Sequence, residues 1–358
     1  MNQNLRRVIP IASGHMPGKA FRIAIVGAGT LKGKELAEVL PEIPMPIADT
    51  KLLDDDDSLG QLEAVGGEVT FVQSVSRDNF DNIDFAFFAS NAQFTRRNWT
   101  LARDAGASVV DLSYALESEK NAKIRAPWIE RELGQTPVPE LQPGPVVAAH
   151  PAAVMLALLL IRAQRVAPVR IAVATVFEPA SEYGRAGMDE LHEQTVNLLS
   201  LKEMPKQVFD IQVAFNLITG LGEESTALPL ESTERRMLEH YRQIVSGNVP
   251  APSLTLVQAP VFHGYAVSLY IELEKAPSVD FAQAIGGDHV VLSESPEDFP
   301  NNVSAAGQND VLVSVRPDLQ SPSAFRIWAA ADNLRLHALT ALECAQRLSA
   351  TRPKGKVQ

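Results

Sequence analysis

Gly27-Ala28-Gly29-Thr30-Leu31-Lys32-Gly33 follows a short apolar run, Phe21 to Val26, and precedes a helical pattern with Leu36, Val39 and Leu40 on one face. Strand, glycine turn and helix in that order suit a diphosphate, because backbone amides and a helix N-terminus attract an anion. A tight turn kept for packing is the plainer alternative. His263 and Tyr265 stand two apart in Pro260 to Ala266. On a strand, that spacing turns both to the same side. The one cysteine, Cys344, has apolar neighbours at helical spacing and reads as a buried, inert thiol. The seven histidines show no H-x-x-x-H spacing and there is no C-x-x-C, so no metal site is expected. No G-x-S-x-G elbow is present either.

The elements that must carry these residues are legible as short apolar runs. After the first strand and its helix, Asp84 to Ala89, Ser108 to Asp111 and Val146 to Ala148 read as strands, with a helix over Arg96 to Ala105. Such alternation predicts a doubly wound parallel sheet over about 21–150. From Pro168 the texture changes to strands at Arg170 to Phe177, Ser253 to Val261, Ala266 to Leu273, Val311 to Val315 and Phe325 to Ala331. Helices are expected over about Ala186 to Leu199 and Leu334 to Leu348. The expectation is an α/β Rossmann-like domain, completed by the 334–348 helix, and an α+β domain over 151–331. Residues 1–20 read as a disordered leader. The Pro-rich stretch Pro137 to Pro145 and the acidic run Asp54 to Asp57 read as loops.

At 358 residues, 46% hydrophobic and 21% charged, the chain has the bulk for two packed domains. A net charge of -11 disfavours nucleic acid or an anionic membrane surface as partner. The longest apolar run, Ala152 to Ile161, is about half a membrane span. A single cysteine and the lack of a secretory signal fit a cytoplasmic protein.

Read in order, several segments resemble the aspartate-β-semialdehyde dehydrogenase family. The glycine turn is similar to its G-A-T-G-x-V-G loop, and Phe87 to Ala92 to its F-S-A-G stretch. Val109-Val110-Asp111-Leu112-Ser113-Tyr114-Ala115-Leu116 resembles V-I-D-N-S-S-A-F, and Ile211 to Ile218 resembles I-A-F-N-x-I-P. Trp328 with Asp332-Asn333-Leu334-Arg335 resembles W-x-x-S-D-N-L-R-K. The resemblance runs from Phe21 to about Leu348. It implies a Rossmann-like dinucleotide domain, with Gly27, Gly29, Thr30, Leu31, Gly33, Ser90 and Asn91 beside the cofactor. It also implies an α+β dimerisation domain and a homodimer.

The departures fall on the chemistry. Where the family carries the cysteine of A-N-P-N-C-S/T, this chain has Ala153, as in members lacking the catalytic cysteine. The family's Gln position is Glu178 and its general-base His position is Tyr265. Two of its Arg positions are Gln258 and Glu117, while Arg236 keeps a basic substrate-binding position. Without a thiolate there is no covalent adduct for hydride transfer to act on.

The resemblance implies three readings. The first is a dimeric binding or scaffold protein without the family reaction. The second is a nicotinamide-dependent oxidoreductase with altered chemistry, using Glu178, His263 and Tyr265, with His150 lining the same cleft. The third is residual semialdehyde dehydrogenase activity in amino-acid biosynthesis. The plainer reading of His150 is packing or a cap on the next helix. The cofactor, if one binds, is NAD or NADP. Asp54 to Asp57 favour NAD, because carboxylates repel a 2′-phosphate and accept from ribose hydroxyls.

Overall fold

The computed structural model describes residues 20–55, 60–65, 68–136, 144–293, 295 and 298–351. All of the expected leader except Ala20 and most of the Pro-rich stretch 137–145 lie outside the described residues, as do Asp56 and Asp57.

Strands β1 (Phe21–Val26), β2 (Ile47–Asp54), β3 (Leu62–Val65), β4 (Glu68–Ser74), β5 (Phe85–Phe88), β6 (Ser108–Asp111), β7 (Lys123–Arg125) and β8 (Val146–Ala148) share one sheet. Their order is β3-β4-β2-β1-β5-β6-β8-β7. Every pair is parallel except β3 with β4. Parallel strands covered on both faces should be apolar at consecutive positions. In β1 and β5, Ile23, Ile25, Phe85 and Phe87 enter one core, while Ala24, Val26, Ala86 and Phe88 enter another on the opposite face. Helices α1 (Leu31–Val39), α2 (Ala92–Asp104), α3 (Pro127–Glu132) and the last helix, α9 (Asn333–Thr351), belong to this layer. Of these, α9 packs on α1, β6 and β8.

Strands β9 (Val169–Glu178), β10 (Ser253–Gln258), β11 (Tyr265–Leu273), β12 (Val290–Leu292), β13 (Val311–Pro317) and β14 (Ala324–Ala331) make a second, mixed sheet in the order β10-β9-β11-β14-β13-β12. Around it lie α4 (Pro151–Val166), α5 (Gly184–Leu199), α6 (Leu230–Val245), α7 (Phe281–Ile285) and α8 (Asn302–Ala305). Helix α4 is buried at every position from Pro151 to Ala163. A helix this apolar belongs inside, and α4 packs against α3, α6, α7 and α9 and against β9 and β11. The result is a Rossmann-like α/β layer joined to a mixed-sheet layer, as the sequence predicts. No described helix is long and apolar enough to cross a membrane.

Two expectations are corrected. The acidic run does not begin as a solvated loop: Asp54 is the last residue of β2 and 5% exposed. His263 is not on a strand with Tyr265. Gly264, with φ of +83°, bends the chain before β11 starts at Tyr265, so the two-residue rule does not apply. Beyond these, β2, β3, β4, β7 and β12 and the helices α3, α6, α7 and α8 have no counterpart in the sequence reading.

Candidate active site

The glycine turn is held by its own chain. Gly27 has φ of +87°, and a Cβ there would lie 2.5 Å from the Ser90 amide nitrogen. Thr30 caps α1: its Oγ1 accepts from the Gly33 amide at 3.0 Å and lies 2.8 Å from the Gly27 carbonyl. Asp54 Oδ2 accepts from the Gly29 amide at 2.7 Å. Among the described residues, Leu31 and Lys32 open α1 with amides that have no backbone acceptor. Asn91 is spent as the cap of α2, accepting from Phe94. Ser90 stays beside the turn. The turn thus offers two amides to an anion, with a carboxylate at the end of β2.

The second half of the site lies where α4 starts. His150 is its cap, followed by Pro151 at the first helical position, and Ala153 is fully buried in the first turn. The His150 amide donates to His240 Nδ1 at 2.9 Å, and His150 Nδ1 accepts from the Ala152 amide at 3.3 Å. With Nδ1 an acceptor, the His150 proton sits on Nε2, 3.4 Å from the Tyr265 hydroxyl. Tyr265 in turn reaches Glu178 Oε1 at 3.4 Å, and Tyr183 donates to Glu178 Oε2 at 2.9 Å. Sheet pairing brings this about: Glu178 closes β9 and Tyr265 opens the neighbouring antiparallel strand β11.

Burial sets the protonation of this chain of groups. It pushes the Glu178 carboxyl up to about 8, with the nearby Glu182 charge adding to the effect. It holds the His150 imidazole well below its usual range, helped by the positive potential of His240 and His337. The hydroxyls of Tyr265 and Tyr183 are pushed well above theirs by the same burial. At neutral pH the chain His150, Tyr265, Glu178, Tyr183 is therefore uncharged, which suits hydrogen bonding and proton sharing rather than nucleophilic attack.

Arg236 and His240, four apart on α6, share one face. Both bond Glu117 Oε1, Arg236 through Nε at 2.7 Å and His240 through Nε2 at 2.9 Å. Burial works against the Glu117 charge, but the His240 hydrogen bond and the Arg236 charge outweigh it and hold its carboxyl below the usual range. Glu117 is therefore the internal partner of both Arg236 Nε and His240. Gln258 is fully buried and donates to the carbonyls of Glu178 and Ala259.

Tyr114 is the hub between these groups, and the sequence reading gave it no role. Its ring stacks with His150 at 5.5 Å and His337 at 5.2 Å, and meets His240 edge-on at 5.5 Å. The Lys32 ammonium and the Arg236 guanidinium each lie 4.9 Å from its centroid. The available signal was an aromatic residue at a position where the resembling pattern carries serine. Tyr183, His240 and His337 were missed too, because they come from separate elements with no shared motif, and Lys32 because the glycine turn was read only for its backbone.

The structure brings Glu178, Tyr265, His150 and Arg236 into one region and leaves His263 on the bend outside the Glu178 hydrogen bonds, half-buried. Cys344 is fully buried on α9, and burial pushes its thiol far above the usual range. Among the described residues no group of three His, Cys, Asp or Glu side chains is placed to hold a metal ion.

Residues 22–136 match the family "Semialdehyde dehydrogenase, NAD binding domain", and residues 159–336 match "Semialdehyde dehydrogenase, dimerisation domain". A relative from Azotobacter vinelandii named USG-1 protein homolog is 33% identical, with 92% of this chain and 98% of the relative covered. The aspartate-semialdehyde dehydrogenase of Prochlorococcus marinus is 26% identical, with 93% and 97% covered. Among solved structures, a probable aspartate-semialdehyde dehydrogenase from Pseudomonas aeruginosa superposes with a TM-score of 0.79 at 27% identity. That comparison covers 93% of this chain and 99% of the other.

Proposed function

This chain belongs to the semialdehyde dehydrogenase family, and from that premise we propose that it is a homodimeric dinucleotide-binding member that does not run the thiol-dependent reaction. The observation that carries this reading is Ala153, buried in the first turn of α4 where the resembling pattern has its cysteine. A methyl group forms no thiohemiacetal, and the remote Cys344 offers no substitute. Supporting it are Glu178 and Tyr265 in place of Gln and His. Arg236 keeps the basic position that the resembling pattern uses for substrate, and gives its Nε to Glu117.

The glycine turn suits the diphosphate of a nicotinamide dinucleotide, through the amides of Leu31 and Lys32, with Asp54 at the end of β2 as the expected acceptor for ribose hydroxyls. When bound, the nicotinamide supplies hydride chemistry. The Asp54 carboxylate favours NAD over NADP, since a 2′-phosphate would meet like charge.

Two measurements on the purified protein test this. Calorimetric titration is expected to show binding of NAD or NADH at least about tenfold tighter than NADP or NADPH, a difference of about 1.4 kcal/mol. Intact-mass analysis after incubation with aspartate semialdehyde and either oxidised cofactor, without phosphate, is expected to show no acyl adduct. An adduct would overturn the chemical half of the reading, and absence of all dinucleotide binding would overturn the other.

A further inference from the structure

Lys32 lies in this cluster, beside Tyr114. It is the second residue of α1, at the C-terminal edge of the parallel sheet where ligands of such sheets bind. Its Nζ donates to the Leu112 carbonyl at 3.2 Å and lies 4.9 Å from the Tyr114 centroid, and it is half-buried. No carboxylate pairs with it among the described residues, although an ammonium carries three donors. Glu182 and Asp111 favour the ammonium, Glu178 does so once it is ionised, and Arg236 opposes it. Burial outweighs the acids and lowers its pKa. A lysine desolvated beside a second cation is in the setting that activates an amine. Nearby, the Tyr114 hydroxyl and His337 Nδ1 are buried without hydrogen-bond partners. Both belong to rings that stack on each other within the same cluster.

We propose that Lys32 captures a small carboxylated aldehyde or ketone as a Schiff base, with Arg236 holding the carboxylate. The neutral amine attacks the carbonyl carbon to give a carbinolamine. The carbonyl oxygen then leaves as water with the two amine hydrogens, and the C=N bond forms. No oxidant or reductant is consumed. Arg236 uses Nε for Glu117 and keeps its outer amino groups for the ligand. The carboxylate half of this inference rests on the reading of Arg236 given above.

The test is reductive trapping on the full-length protein with succinic semialdehyde and cyanoborohydride, followed by peptide mapping. One dominant adduct is expected on the peptide containing Lys32, forming about tenfold faster than on any other lysine. Lys32→Arg keeps the charge and is expected to lose this adduct, and Arg236→Gln to slow it about tenfold. Equal labelling across the lysines, or an unchanged pattern in Lys32→Arg, overturns the assignment. Undiminished labelling of Arg236→Gln overturns its role. An acyl adduct of the thiol type needs no reductant whereas this one does, so the present inference and the reading based on Ala153 fail separately.

Discussion

Glu178→Gln raises the stability of the folded protein at pH 8 by several kcal/mol relative to the parent and leaves it nearly unchanged at pH 4. The folded carboxyl is fully buried and holds its proton to about pH 8, against an ordinary value near 4.5. Between those values the unfolded chain releases the proton while the folded chain keeps it, so the parent loses stability as pH rises through the window and levels off above it. Each pH unit is worth about 1.4 kcal/mol, so the whole window amounts to roughly 5 kcal/mol. Glutamine imitates the protonated acid, with one acceptor and one donor for the two phenols of Tyr183 and Tyr265, and does not titrate. Urea unfolding of both proteins from pH 4 to pH 8 measures the difference. Parallel pH profiles would refute a neutral Glu178 in the folded state.

Gly33→Ala loses about 3 kcal/mol of stability, at the upper end of what overpacking costs. A Cβ there would stand 2.1 Å from the Gly27 carbonyl oxygen and 2.9 Å from the Ala28 Cα. Both are backbone atoms of the turn, so no side chain can swing aside. The first turn of α1 must lift from β1, and the amides of Leu31 and Lys32 move with it. Gly134→Ala is the comparison, because Gly134 has φ of +65° but open space around its Cβ position. Only the conformational cost of about 1–2 kcal/mol applies there. Denaturation of the two variants side by side decides the matter: equal losses would mean that the turn is not packed as described.

The parallel sheet was readable because strands buried on both faces are apolar at successive positions, as in Phe85 to Phe88. β2 was not, since Ile47 to Asp54 carries Asp, Thr and Lys within the strand and its exposed first half mutes the pattern. Helix α6 could have been found: Leu230, Thr233, Met237, Tyr241, Ile244 and Val245 are buried at three- and four-residue spacing. The site was legible only where one segment carries the signal, as at the glycine turn, or where a resemblance marks the position, as at Ala153. The grouping of Tyr114 with His150, His240 and His337 depends on how three helices converge on one loop. No local pattern encodes that. The misplacement of His263 came from carrying a strand rule across Gly264, whose positive φ ends the extended run.

On the proposed reading, Ala153, Glu178 and Tyr265 leave no route to the thiol-dependent oxidation of a semialdehyde. The most direct measurement is steady-state, phosphate-dependent reduction of NAD and NADP by the purified protein with aspartate semialdehyde. A rate indistinguishable from the protein-free background is expected for either cofactor. Turnover above that background, proportional to protein concentration and dependent on phosphate, would contradict it.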